Sequence, residues 1–374
     1  MIICNFAPTF TINSIFLVMK KTIFTVLAAA CMVASAHAQE NQWFQNMKLS
    51  GYGMVQYQGS DQDEKESNSF NLRLVRFALE GRAHQDFYYK AQMQVNGTTK
   101  DDNTAIRLVD LFGEWQKYEF FKVKAGQFKR PFTFENPMHP ITQGFMSYSQ
   151  NVSKLSGFSD RTGEQASNGR DIGLQIQGDF LKNANGRNLL HYQVGVFNGQ
   201  GINVKDADNR KDIIGGVWVM PIKGMRIGAF GWTGSRGGMS WTEVDTAGVS
   251  VTKTGSVGKN RYAFSAEYAQ NDWTFRTEYI HSQGYDSKHV SDKADGIYAL
   301  VIAPIQKNKM HVKARYDLYR ANKDWASSKT LYEVGADYMF TKNLQINLEY
   351  ARVNDRTLAK HNYNMVDVEL DFRF

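Results

Sequence analysis

The last nine residues of the chain, Val366-Asp-Val-Glu-Leu-Asp-Phe-Arg-Phe374, alternate with period two up to the carboxyl terminus. Val366, Val368, Leu370, Phe372 and Phe374 fall on one face of an extended strand, and Asp367, Glu369, Asp371 and Arg373 on the other. A strand charged at every second position is not buried on both sides, and an apolar row that ends in an aromatic has no reason to face water. Hydrocarbon satisfies the apolar row, and in hydrocarbon only a closed sheet pairs all of its backbone groups. The terminal strand therefore predicts a transmembrane β-barrel, apolar outside and polar inside. Phe374 would then serve as the assembly signal at the closing strand.

The amino terminus sets the compartment. From Met19 the chain reads MKKTIFTVLAAACMVASAHAQE, a charged start, an apolar run and the small-x-small site Ala36-His37-Ala38. This is a secretory signal, with residues 1–38 removed, Met19 the true start and Gln39 the mature terminus of the barrel domain 39–374. The apolar run is too short to anchor as a helix. Both cysteines, Cys4 and Cys31, lie in the removed part, which excludes disulfide and thiol chemistry from the mature chain.

Composition agrees with a barrel. Phe, Trp and Tyr make up 13% of the chain and proline occurs only 6 times. No stretch after Ala38 approaches the roughly twenty consecutive apolar residues that a spanning helix needs. The net charge of +7 is spread without a Lys/Arg run, which gives no footprint for nucleic acid. Alternating runs of about ten residues separated by turn signals can be placed from the amino to the carboxyl end. They cover Met47–Gln58, Phe70–Arg82, Phe87–Asn96, Thr104–Lys117, Phe121–Arg130, Arg170–Phe180, Leu189–Asn198 and Lys211–Met220. The series continues through Met225–Gly234, Lys259–Gln270, Trp273–Ser282, Lys293–Ile305, Lys309–Ala321, Thr330–Thr341, Asn343–Asn354 and Asn362–Phe374. The fold class is thus an all-β, antiparallel transmembrane barrel of about sixteen strands, with short periplasmic turns and longer extracellular loops. One connection differs from the rest. Arg130 to Arg170 spans about forty residues without sustained alternation and holds Pro131, Pro137 and Pro140. A loop that long is functional or disordered, and it is the third extracellular loop, which the resemblance given next implies folds into the lumen.

Three segments resemble the phosphate-selective porin O and P family. Ser69-Phe-Asn-Leu-Arg-Leu-Val-Arg-Phe-Ala-Leu-Glu-Gly81 is similar to that family's basic second strand. Lys124-Ala-Gly-Gln-Phe-Lys-Arg-Pro-Phe132 with Phe145-Met146 resembles the start of its constriction loop, and Asn168-Gly-Arg-Asp-Ile-Gly-Leu-Gln175 the end. Where the family loop carries an aromatic-x-Glu-Arg-Ser element, this chain has Met146-Ser-Tyr-Ser-Gln150. The resemblance implies a homotrimeric channel in the outer membrane of a Gram-negative bacterium, surrounded by outer-membrane lipid, with basic side chains guiding anions. It carries a functional role onto Arg73, Arg76, Lys129, Arg130 and Arg170.

Parity adds Arg82, Lys90, Lys122, Lys124, Lys313 and Arg315 to the lumen, and the loop adds Lys154 and Arg161. Arg73 has the parity opposite to Arg76 and would reach the pore only from the outer end of its strand. Glu333, Asp337, Glu349, Asp367, Glu369 and Asp371 face inward from the last three strands, so the wall carries both signs in separate sectors. The expected function is a passive pore with mild anion preference, for small phosphorylated or carboxylated solutes. A non-conducting scaffold or adhesin is the alternative. An outer-membrane enzyme is a weaker one, because the histidines are dispersed and no nucleophile, zinc or phosphate-loop motif occurs. No cofactor and no metal is expected, and the barrel-assembly machinery is the expected folding partner. Mass spectrometry of the protein from outer membranes should give Gln39 as the first residue; an intact Met1 or Met19 would contradict the secretory reading.

Overall fold

The computed structural model describes residues 47–96, 106–158, 168–244, 246–284 and 293–374. The expected signal segment and its expected cleavage site lie outside the described residues, as does Arg161. The strands are β1 (Lys48–Ser60), β2 (Ser67–His84), β3 (Phe87–Gln94), β4 (Arg107–Tyr118), β5 (Phe121–Lys129), β6 (Arg170–Lys182), β7 (Asn188–Phe197) and β8 (Asp212–Val219). They continue as β9 (Met225–Val244), β10 (Ser250–Gln270), β11 (Trp273–Gly284), β12 (Lys293–Gln306), β13 (Met310–Arg320), β14 (Ser328–Thr341), β15 (Leu344–Asp355) and β16 (Asn362–Arg373). Each pairs antiparallel with its sequence neighbours, and β16 pairs with β1, so the sheet is a closed barrel.

Closure is made in register from Tyr52↔Arg373 to Ser60↔Met365. Phe374 continues the ladder one step further: its N–H donates to the Gly51 carbonyl at 3.0 Å and its carbonyl accepts from the Gly51 N–H at 2.9 Å. Glycine is required there, because a Cβ on Gly51 or Gly53 would collide with the rings of Phe374 and Phe372. Leu348, Leu370, Phe372 and Phe374 are exposed on the outer face, while Glu349, Glu369 and Asp371 are buried on the inner one. The terminal pattern thus holds with its polar row inside.

Two departures from strict period two matter. The β1–β2 register shifts so that Met54 opposes Leu74 while Val55 opposes Leu72. Arg73 is the extra residue of this β-bulge, which resets parity. Its guanidinium points inward to Glu369 at 2.9 Å, so the expectation that it reaches the pore only from the strand end is corrected. The second departure is at β9 and β10, which extend past the predicted ends near Gly234 and Lys259 to Val244 and back from Ser250. Their outer neighbours stop at Ile213↔Thr233 and Lys259↔Gly284, leaving a free two-stranded ribbon. Both faces of that ribbon meet water, so its sequence carries no apolar alternation to read.

Removing Phe374 deletes two seam hydrogen bonds, worth about 1 kcal/mol each, and a ring packed 5.5 Å from Phe77. The truncated protein should show a reduced heat-modifiable folded fraction on gels, with unchanged conductance in the barrels that form; normal assembly would contradict the role of this residue.

Candidate permeation site

The segment that follows β5 carries prolines at 131, 137 and 140, which cannot donate to a ladder. Its backbone groups must find partners elsewhere, and charged side chains on the interior face of the barrel supply them. Glu278 on β11 accepts from the N–H groups of Phe134 at 2.6 Å and Glu135 at 3.0 Å. Glu349 on β15 accepts from Met146 N–H at 2.8 Å, and Asp317 on β13 from Gln150 N–H at 2.8 Å. That last contact meets the start of a short helix, α1 (Gln150–Leu155), whose preceding Ser149 makes no side-chain cap. The carboxylate on β13 does the work of an N-cap.

Carbonyls of the same segment are taken by cations. Lys313 donates to Gly144 at 2.9 Å, Arg315 to Ser147 at 2.9 Å, Arg261 to Leu155 at 2.9 Å, and Arg276 to Gln143. Phe132, Phe134, Val152 and Leu155 pack into one buried apolar cluster with Phe197, Phe230 and Trp232. The Trp232 ring is the hub of this region. The Arg130, Lys259 and Arg261 cations lie 4.9, 5.0 and 4.4 Å from its centroid, and its indole N–H donates to Asp212 at 2.7 Å.

On the opposite side, residues Pro137–Pro140 face β1–β6 across a cavity of about 300 Å³. Arg76, Lys90, Lys124, Lys129 and Arg170 line it, with Asp110 the one carboxylate among its lining residues. Arg170 holds Asp110 through two bonds, of 2.6 and 3.0 Å. Lys124 and Lys90 sit at 3.7 and 3.8 Å from Glu114 and Glu80, looser pairings. Arg76 has only neutral partners, the Tyr52 hydroxyl at 3.0 Å and Gln94 Oε1 at 2.9 Å. Lys129 likewise donates to the Met138 carbonyl at 2.5 Å and the Tyr148 hydroxyl at 3.0 Å. Neither cation makes an ion pair among the described residues. His139 packs 4.5 Å from Tyr52 at the edge of this group. Burial, followed by the charges of Lys129, Arg373, Lys90 and Arg76, lowers its pKa to about 3, so the imidazole is neutral near pH 7. Two opposite unit charges 4 Å apart attract by about 4 kcal/mol at an effective dielectric of 20, against about 1 in water, so the buried Arg76 and the partly buried Lys129 act on a nearby anion far more than surface lysines do.

The residues expected from sequence thus separate into groups. Arg76, Lys90, Lys124, Lys129 and Arg170 converge on one cavity, while Arg82 lies away from it near the β2–β3 turn, donating to the Gln85 carbonyl at 2.9 Å and to Gln116 at 3.0 Å. Arg130 is fully buried against Asp171 at 2.9 Å. Lys313 and Arg315 are each 2.5 Å from Glu349 and Glu333, and are occupied by those carboxylates and the loop. Arg73 pairs with Glu369, and Lys122 with Asp179 at 3.3 Å, outside the cavity. Lys154 is exposed on α1. Sequence reading missed Asp110, Glu278 and Trp232. Asp110 and Glu278 are polar at inward parity and give a weak signal; an aromatic at inward parity, as at Trp232, is the stronger one.

A closed barrel that is apolar outside and charged inside, with no helix among the described residues long and apolar enough to cross a membrane, is the architecture of an outer-membrane barrel protein. The Gram-negative porin family matches residues 25–358, and the chain belongs to that family. Among solved structures it is similar to Salmonella typhi OmpF in complex with daunomycin, at 11% identity over 88% of this chain and 98% of that one, with a TM-score of 0.63. The outer membrane channel DcaP of Acinetobacter baumannii is 10% identical over 88% of this chain and 97% of that one, with a TM-score of 0.59. OmpT of Vibrio cholerae in its trimer form is 11% identical over 88% of this chain and 100% of that one, with a TM-score of 0.56. At such identities the likeness is one of fold. No curated protein matches the chain.

Replacing Trp232 by Ala should destabilise the barrel by about 3 to 5 kcal/mol, the range for emptying a buried aromatic site, whereas Trp273→Ala at an exposed strand start should cost little. Urea unfolding of the refolded proteins tests this, and equal midpoints would show that Trp232 is not the hub described.

Proposed function

We propose that the protein is a passive, water-filled pore with mild preference for small anionic solutes. In this reading the segment 130–158 lies across the lumen and sets its narrowest section, and the passage runs between that segment and the basic wall of β1–β6. The observation that carries it is the pair Arg76 and Lys129, two cations beside the cavity whose partners are neutral. None of Glu278, Asp317, Glu333, Glu349 and Glu369 lines that cavity, whose one lining carboxylate, Asp110, is tied to Arg170. A low-dielectric wall focuses the field of the remaining charges across a narrow section, where a small excess biases ion flow.

Arg76, Lys90, Lys124, Lys129 and Arg170 are the proposed anion guides, and phosphorylated or carboxylated solutes small enough for the cavity are the proposed cargo. Arg73, Lys122 and Lys154 are assigned to the approaches rather than to the narrow section. The form in the outer membrane is proposed to be a homotrimer with the signal removed after Ala38, folded by the assembly machinery through its Phe374 end; the likeness to OmpT in a trimer form supports the trimer.

Reversal potentials in a planar bilayer under a salt gradient test the reading. The wild type should favour chloride over potassium, and Arg76→Gln with Lys129→Gln should lower that preference by at least about twofold, while Lys182→Gln, at an exposed strand end, leaves it unchanged. A cation preference in the wild type would discard the anion reading, and no conductance would discard the pore.

A further inference from the structure

The outer face of β12–β15 carries a groove of about 580 Å³ that the pore reading does not use. Its floor and walls follow from the register. In one row Ala299 stands opposite Tyr316, Tyr316 opposite Tyr332, and Tyr332 opposite Arg352. In the next row, one step toward the periplasm, Val301 pairs with Ala314, Ala314 with Val334, and Val334 with Tyr350. The two alanines leave only methyl groups where three tyrosines flank them, and Tyr332 and Val334 are more than half exposed, at 56% and 55%. The trough is apolar along its length.

Its extracellular end is not. Arg352 projects there on the outward face, and its one polar contact is Asn364 Oδ1 at 2.9 Å, which also accepts from the Tyr350 hydroxyl at 2.7 Å. Asn364 in turn donates its side-chain amide to Asp61 at 2.6 Å, so that carboxylate is engaged by Asn364, and Arg352 makes no ion pair among the described residues. Just above, Trp325 is 54% exposed with the Arg320 and Arg356 guanidinium groups 5.0 and 5.8 Å from its ring. Arg356, like Arg352, makes no ion pair among the described residues. Exposed Trp and Tyr mark the headgroup level of a bilayer, where cations meet lipid phosphates.

We propose that this groove is a lipid site: one acyl chain lies in the Ala299–Ala314 trough and a headgroup phosphate accepts from Arg352. The charge decides for lipid over a second copy of the chain. A two-fold contact with a second copy would have to bring a carboxylate to Arg352 from this same face, and the one outward carboxylate on β12–β15 among the described residues, Asp295, is already held by Arg320 through bonds of 2.8 and 2.6 Å; a contact through another face of the partner is separated from lipid by the oligomer readout below.

Native mass spectrometry of the whole detergent-solubilised protein with lipid A and with dephosphorylated lipid A tests the proposal. The wild type should retain the phosphorylated form about fivefold better, the scale of one cation near an anionic headgroup. Arg352→Gln should abolish that preference, and Ala314→Phe should reduce retention of both forms without changing conductance. Equal retention of the two lipids by the wild type, or an undiminished preference in Arg352→Gln, would overturn it. So would dissociation of an oligomer in Ala314→Phe with lipid retention intact, since the groove would then be a contact between copies.

Discussion

Every backbone group that the segment after β5 takes out of a ladder has to be met again inside the barrel, and this requirement organises the interior. An unmet buried N–H costs about 1 to 3 kcal/mol. Four such groups, on Phe134, Glu135, Met146 and Gln150, are met by the carboxylates of Glu278, Glu349 and Asp317. Bonds of this charged kind are shorter and stronger than neutral ones. Buried carboxylates need compensation in turn, and the cations beside them supply it while binding loop carbonyls: Lys313 bridges Glu349 and Gly144, and Arg315 bridges Glu333 and Ser147. The mixed-sign wall of β11–β15 thus works as a dock for a peptide backbone.

The consequence for charge in the passage is indirect. A sum over inward-facing residues gives both signs in comparable amount, which on its own argues for little selectivity. Once the docked charges are set aside, what remains beside the cavity is basic, with Asp110 tied to Arg170 and with Arg76 and Lys129 on neutral partners. The selectivity proposed for this porin comes from the residues left over after the loop has been held.

How much of this is legible in the sequence differs by link. The strands are legible because lipid on one side and water on the other impose period two, so Met310 to Leu318 or Leu344 to Tyr350 can be placed without a structure. The free ribbon of β9 and β10 is not, since water on both faces erases the period. Arg73 misleads because a single bulge inverts parity, and nothing local in Leu72-Arg73-Leu74 announces it. The loop announces itself through its prolines, yet the fate of its partners is hidden. Whether Lys313 guides an ion or grips Glu349 depends on neighbouring strands, and the bond from Met146 to Glu349 joins residues 203 apart. Sequence places charges on a face; only the fold pairs them.

The central claim is that the docked loop, rather than the barrel wall, defines the passage. Single-channel conductance of a protein in which residues 141–156 are replaced by a short Gly-Ser linker tests it most directly. The account predicts a conductance several-fold above wild type, with the anion preference reduced, in a barrel that still assembles. An assembled barrel with wild-type conductance and selectivity would contradict it.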